Sequence, residues 1–195
     1  MSISGTNDKP KVSAGIPVKI AFTALFAALT AAGALVAIPV GPVPIVLQNL
    51  FALLSGLVLG PLMGSAAVGL YLLAGILNFP VFAGGGGGIA RFAGPTGGFL
   101  VGYLLAAFSA GLIAGRPWAG IKTSQVRIIV AVVVGFLVVY VPGIAWLKIS
   151  RSLSWQRALM AGFVPFIIGD TIKGIAAALI APRLRAIAAD HLDGK

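Results

Sequence analysis

Residues 18–38 read "VKIAFTALFAALTAAGALVAI" and decide the fold class, because they form one apolar stretch with a single charge, Lys19, near its start. About 18 or more apolar residues in a row can cross the hydrocarbon core of a bilayer as a helix. The rest of the chain has the same character: 59% of its 195 residues are hydrophobic and only 4 are acidic. A soluble domain of this length cannot bury so much apolar sequence. The sequence therefore predicts an all-α membrane protein.

Six apolar segments are expected to form transmembrane helices. They cover residues 18–38, 46–59, 62–77, 96–114, 128–147 and 159–181. The short "GPLMG" at 60–64 requires a tight turn between the second and third segments. Pro142 and Pro165 lie inside the last two segments, where proline kinks a helix and is tolerated if neighbouring groups satisfy the freed carbonyl.

The distribution of Lys and Arg predicts the orientation, because cytoplasmic loops carry an excess of both. With the N-terminus inside, the cytoplasmic basic residues are Lys9, Lys11, Lys19, Arg116, Lys122, Arg127, Arg183, Arg185 and Lys195. The outside basic residues are Arg91, Lys148, Arg151 and Arg157. We therefore expect both termini in the cytoplasm and one transmembrane domain over residues 1–195. Its parts would be a tail at 1–17, a six-helix bundle at 18–185 and a second tail at 186–195.

Residue types that are absent exclude several functions. The chain has no cysteine, its only histidine, His191, lies near the C-terminus, and Asp170 is the only acid within a predicted span. Thiol chemistry, a metal site and a paired-carboxylate mechanism are therefore not expected. The net charge is +10, but the basic residues stand singly and do not form a stripe with interleaved aromatics, so nucleic acid is not an expected partner. The sequence predicts neither an enzyme nor a bound cofactor.

The last span contains two charges, in "IIGDTIKGI" at residues 167–175. Asp170 and Lys173 are three residues apart and thus share one face of a helix. A charge at the centre of a span costs on the order of 2.5–3.5 kcal/mol on insertion scales. Two interpretations are open. The pair is either a structural ion pair, or a ligand site in which Lys173 binds an anionic group and Asp170 accepts hydrogen bonds from N–H groups.

Other polar candidates lie near the predicted helix ends. Gln48 and Asn49 open the second span with amide donors and acceptors that suit a neutral polar ligand. Alternatively, Asn49 caps the helix while Gln48 faces the lipid headgroups. Asn78 is a weaker candidate of the same kind.

A run of five glycines, residues 84–88, lies in the loop before the fourth span. Its bare backbone can approach a ligand closely, which makes Gly85, Gly86 and Gly87 candidate contacts. The run matches neither nucleotide-binding glycine pattern. Arg91, the only charge in this loop, is either a free surface residue or a contact to an anion.

Alanines give the first span a nearly flat face. Ala24, Ala28 and Ala32 recur at helical spacing on it. Small residues allow helices to approach closely. The face either packs inside this chain or docks on another membrane subunit.

Three motifs, in this order, resemble the BioY family. They are "PVPIVLQNL" at 42–50, "FPVFAGGGGGIARFAGPTGGFLVGYLLAAF" at 79–108 and "GDTIK" at 169–173. BioY proteins are the biotin-specific substrate-binding (S) components of energy-coupling factor (ECF) transporters. The resemblance covers about residues 18–185, and it implies a six-helix protein of the bacterial cytoplasmic (inner) membrane that takes up biotin.

The resemblance also implies roles for the candidate residues. Lys173 would hold the valerate carboxylate of biotin and Asp170 a ring N–H, while Gln48 and Asn49 match a polar segment of the site. Residues 84–88 would close over the ligand. Some members place a basic residue within this run, whereas here Arg91 follows it.

The resemblance further implies partners. The alanine face would pack on a transmembrane coupling subunit that carries a pair of ATPase subunits. Two alternatives remain open, namely a solitary carrier without ATPases, and a small channel or structural membrane protein with an internal ion pair.

Overall fold

The computed structural model describes residues 15–117 and 123–192, and these are mostly helical. The helices are α1 (Ile16–Leu35), α2 (Gln48–Leu59), α3 (Pro61–Ile76), α4 (Ile89–Phe92), α5 (Gly97–Ala114), α6 (Gln125–Ser150), α7 (Trp155–Gly162) and α8 (Ile167–Leu192). After α1, the strands β1 (Ala37–Ile38) and β2 (Ile45–Val46) pair antiparallel. Most of the predicted N-terminal tail, the end of the C-terminal tail, and Lys9, Lys11, Lys122 and Lys195 lie outside the described residues.

Helices α1, α2, α3, α5 and α6 overlap the first five predicted apolar segments, and α7 and α8 together cover most of the sixth. Within the described ranges, four helical stretches are long and apolar enough to cross a membrane, namely α1, α5, α6 and the stretch Trp155–Leu192. The other two apolar helices, α2 and α3, are shorter, with 12 and 16 residues. At 1.5 Å per residue α2 is about 18 Å long, less than the roughly 30 Å of a bilayer core. The chain is a multi-pass membrane protein.

The two prolines predicted to lie within spans have different effects. Helix α6 continues through Pro142 to Ser150. The last span is interrupted, because α7 ends at Gly162 and a 3₁₀ turn at Val164–Phe166, which contains Pro165, precedes α8. Helix α8 then passes the predicted end of the span at residue 181. It continues to Leu192, so residues 186–192, which were predicted to belong to a C-terminal tail, are part of the helix.

Glycines set the distance between several helices. A Cβ on Gly56 of α2 would lie 2.0 Å from the carbonyl oxygen of Ala107 in α5. A Cβ on Gly102 of α5 would lie 2.7 Å from the carbonyl oxygen of Val139 in α6. Backbones can pack this closely only where one of them carries no side chain. These contacts bring α2, α5 and α6 together around the centre of the bundle.

The two ends of the bundle differ. At one, which we call the cavity end, the segments that follow α1, α3 and α6 line a cavity. At the other, which we call the arginine end, the side chain of Arg185 donates hydrogen bonds to the carbonyls of Leu57, Ala114 and Gly115. Arg185, which the sequence analysis counts among the cytoplasmic basic residues, is buried. The final carbonyls of α2 and α5 lack partners within their helices and therefore accept bonds from a cation.

Candidate ligand-binding site

Asp170 and Lys173 form an ion pair near the start of α8. Lys173 Nζ lies 2.8 Å from Asp170 Oδ1, and the two residues are only 7% and 9% exposed, respectively. The ammonium also donates to the carbonyl of Val46 at 2.9 Å and to Asn49 Oδ1 at 3.1 Å. A lysine ammonium has three donors, so these bonds use all of them. The i, i+3 spacing correctly predicted that the two side chains share one face of a helix, but the other partners come from distant sequence.

Asp170 accepts hydrogen bonds from two further side chains. Asn49 Nδ2 donates to Oδ1 at 2.9 Å, and the hydroxyl of Tyr140 in α6 donates to Oδ2. These bonds offset part of the cost of burying the two charges. We call Asn49, Tyr140, Asp170 and Lys173 the polar floor. Sequence reasoning missed Tyr140, and its only signal was a tyrosine inside an apolar span.

A cavity of about 580 Å³ lies next to the polar floor, at the cavity end. The β1–β2 segment, the glycine loop with α4, the start of α5 and Arg151 after α6 enclose it. A small neighbouring pocket of about 20 Å³, which we call the narrow extension, is lined by all four floor residues. Cavity and extension share the wall residues Val43, Pro44, Val46, Phe99 and Tyr103. The polar floor is therefore adjacent to the inner end of the cavity.

A second space of about 510 Å³ lies between α6 and α8 and has mostly apolar walls. Tyr140 and Asp170 also border it. It contains neither the glycine loop nor Gln48, so the loop-covered cavity is the better candidate for a ligand site.

Gln48 and Asn49 lie at the site and do not cap the helix or face the headgroups. Gln48 lines the cavity and is 2% exposed, so the headgroup alternative is wrong. Leu47 is the N-cap of α2, and no side chain caps this helix, so the capping alternative for Asn49 is also wrong. Gln48 Oε1 is buried without a hydrogen-bond partner in the described structure. Since buried polar atoms are normally bonded, this oxygen suits a ligand N–H.

The glycine run forms a tight turn over the cavity. Phe82 N donates to Gly86 O at 2.8 Å, and Gly86 N donates back to Phe82 O at 3.1 Å. Gly84 and Gly85 have φ of +71° and +73°, a left-handed conformation that favours glycine. Gly84 lines the cavity, while the predicted contacts Gly85, Gly86 and Gly87 do not.

Arg91 and Asn78 flank this turn differently. Arg91 is exposed and lines the cavity, and its Nη2 donates to Ala83 O at 3.0 Å, so it is a surface residue that is held in place. Asn78 is exposed, follows the end of α3 with φ of +74° and does not line the cavity. A left-handed asparagine is common just after a helix, and this backbone role accounts for the residue type.

The alanines of α1 lie on two different faces. Ala27 and Ala34 are buried against the bundle, while Ala24, Ala28 and Ala32 are exposed. The neighbouring Ile20 and Leu25 are also exposed. The alternative that the alanine face packs inside this chain is therefore wrong for Ala24, Ala28 and Ala32.

A bundle of membrane helices with a loop-covered cavity next to a buried polar network defines a membrane protein that binds a small solute. A sequence profile of the BioY family matches residues 8–190. The chain belongs to the BioY family.

Individual relatives agree with this assignment. The chain is 40% identical over 167 residues to the probable biotin transporter BioY of Pyrococcus horikoshii, covering 86% of this chain and 96% of the relative. It is 42% identical over 161 residues to the biotin transporter BioY of Thermotoga maritima, covering 83% and 92%. A crystal structure of the S-component for biotin from an ECF-type ABC transporter superposes with a TM-score of 0.74. That match has 32% identity and covers 86% of this chain and 90% of the other.

Proposed function

We propose that this protein binds biotin and is the substrate-binding component of a biotin uptake system in the bacterial cytoplasmic membrane. The observation that carries the proposal is the loop-covered cavity beside the polar floor, in a chain whose fold matches the S-component for biotin. A cavity of about 580 Å³ lies within the usual range of roughly 300–1,000 Å³ for small-molecule sites. Biotin is transported unchanged, so the protein is not an enzyme.

The chemistry of the walls suits the two parts of the biotin ring system. Its ureido group has two N–H donors and one carbonyl acceptor. Asp170 and Gln48 Oε1 offer acceptors, while Asn49 and Lys173 offer donors. Phe99 and Tyr103 offer aromatic surface to the thioether ring. The bonds within the polar floor would then be exchanged in part for bonds to the ligand.

Arg91 and the glycine turn form the cover of the proposed site. Gly85, Gly86 and Gly87 shape the turn, which explains their residue type without direct contact to biotin. Asn78 supports the turn from the end of α3. Direct contact of Arg91, Gly85, Gly86, Gly87 and Asn78 with the ligand stays a prediction. The binding of the valerate carboxylate by Lys173 also stays a prediction, and the arginines that line the cavity are the alternative.

The proposed topology has six spans in a single transmembrane domain, with both termini in the cytoplasm. The segments after α1, α3 and α6 lie at the cavity end, whereas Gly60, Gly115 and Arg185 lie at the arginine end. This arrangement supports a chain that crosses the bundle alternately from one end to the other. The excess of Lys and Arg on the arginine side supports its cytoplasmic location. The site then opens to the outside.

Energy coupling is the remaining part of the proposal. The exposed alanines Ala24, Ala28 and Ala32 would dock on a transmembrane coupling subunit that carries paired ATPase subunits, with membrane lipid around the rest of the bundle. A solitary carrier would leave this face covered by lipid alone.

Equilibrium binding tests the proposal. Purified protein in detergent is expected to bind biotin tightly and to bind lipoate, a monocarboxylate without a ureido ring, far more weakly. No measurable affinity for biotin, or equal affinity for both acids, would reject it.

A further inference from the structure

Two arginines line the cavity. Arg91 comes from α4, and Arg151 immediately follows α6. The guanidinium of Arg91 is held by the carbonyl of Ala83. Arg151 is exposed, and its side chain makes no hydrogen bond or ion pair with another described residue. Its five donors are therefore available to a ligand in the cavity.

The surroundings of Arg151 are positive. Asp170 is the only acid among the described residues at the cavity end, and the polar floor already pairs it with Lys173. Asp190 lies beyond Arg185, at the other end of α8. Two more cations flank the cavity end: Arg157 on α7, and Lys148, whose Nζ lies 5.2 Å from the ring centroid of Trp155. An anionic group that enters the cavity thus meets a positive potential.

Lys173 is less accessible to such a group. Its three donors already bind Val46, Asn49 and Asp170, and it borders the narrow extension but not the main cavity. A carboxylate bound there would have to replace one of these bonds. Arg151 gives up no bond to a described residue, and an arginine can bind both oxygens of a carboxylate.

We propose that Arg151 is a specificity residue that binds the carboxylate of the ligand together with Arg91, so that the site selects a free acid over a neutral derivative. This inference rests on the proposed function. It places the acid at the mouth of the cavity, and the ureido ring then faces the polar floor.

The test compares biotin with biotinamide, which keeps the ring system and replaces the acid by a neutral amide. Arg151→Gln is expected to weaken biotin binding roughly tenfold and to leave biotinamide binding unchanged. Arg157→Gln is the matched control, because it removes an exposed cation at the same end that does not line the cavity. It is expected to change biotin affinity far less than Arg151→Gln does, because solvent screens an exposed charge that does not touch the ligand, and to leave biotinamide affinity unchanged. Arg151→Lys keeps the charge without the planar fork and is expected to give an intermediate biotin affinity.

The other results separate the hypotheses. Equal losses for biotin and biotinamide in Arg151→Gln would overturn the inference in favour of a structural role, as would biotin affinity equal to that of the unmodified protein. Either result leaves the proposed function intact if the unmodified protein binds biotin. An unmodified protein that binds neither compound would overturn both. Equal thermal unfolding midpoints of the two glutamine variants confirm that each is folded.

Discussion

The side-chain amide of Asn49 donates a hydrogen bond of 2.9 Å to Asp170 Oδ1, across a sequence separation of 121 residues. It joins the start of α2 to the start of α8, and the same amide accepts a bond from Lys173. The polar floor is therefore a connection between helices as well as a candidate site. Its two roles can be separated by mutation.

Lys173→Met is expected to abolish biotin binding and to destabilise the protein. The change leaves Asp170 buried without its cation, and removal of one partner of a buried ion pair costs about 3–5 kcal/mol. The double variant Asp170→Asn/Lys173→Met removes both charges and is expected to recover most of the stability without recovering binding. Thermal unfolding and equilibrium binding measure the two effects. Unchanged biotin affinity in the single variant would favour the interpretation that Asp170 and Lys173 form a purely structural ion pair.

Gln48→Leu is expected to lower biotin affinity while leaving stability unchanged or higher. Gln48 Oε1 has no partner in the described structure, so its removal breaks no bond made by that atom. Loss of one hydrogen bond to the ligand corresponds to about 0.5–1.5 kcal/mol of binding free energy. A lower unfolding temperature together with unchanged affinity would contradict the placement of this residue in the site.

Tyr140→Phe is expected to destabilise the protein by about 1–3 kcal/mol, because Asp170 loses a buried donor while the ring stays in place. Tyr71→Phe is the matched control, since the hydroxyl of Tyr71 is also buried but makes no bond to a charged side chain. The control is expected to be neutral or stabilising in thermal unfolding. Equal destabilisation by both changes would mean that the bond to Asp170 contributes nothing.

Ala28→Trp tests the docking face of α1. The indole would project from an exposed part of the helix, so biotin binding by the isolated protein is expected to stay unchanged. Biotin uptake by cells that carry the ATPase subunits is expected to be lost. Ala66→Trp, at an exposed alanine of α3, controls for the bulk of the new side chain and is expected to leave uptake intact. Uptake that survives Ala28→Trp would contradict the docking role of this face of α1.

Arg185→Met is expected to destabilise the arginine end by at least about 2 kcal/mol. The methionine cannot bond the carbonyls of α2 and α5, and buried acceptors without donors cost about 1–3 kcal/mol each. Arg183→Met removes an exposed arginine of the same helix and is expected to leave the unfolding midpoint unchanged. If both variants unfold at the same temperature, Arg185 does not hold these helix ends together.

The sequence by itself determined the features that depend on local residues. The length and apolar composition of the segments predicted the positions of the helices, because a helix that crosses a bilayer must be both long and apolar. The Asp170–Lys173 contact followed from the i, i+3 spacing of a single helix. The motifs at 42–50, 79–108 and 169–173 were sufficient to identify the BioY family.

Only the tertiary structure decided which residues from different helices meet. It brought Asn49 and Tyr140 to Asp170, exposed Ala28 while burying Ala27, and buried Arg185 as a hydrogen-bond donor to two other helices. Each outcome depends on how closely α1, α2, α5, α6 and α8 pack and on their rotation about their axes. These contacts join residues 30 to 128 positions apart in the sequence, so no local pattern in the sequence contains them.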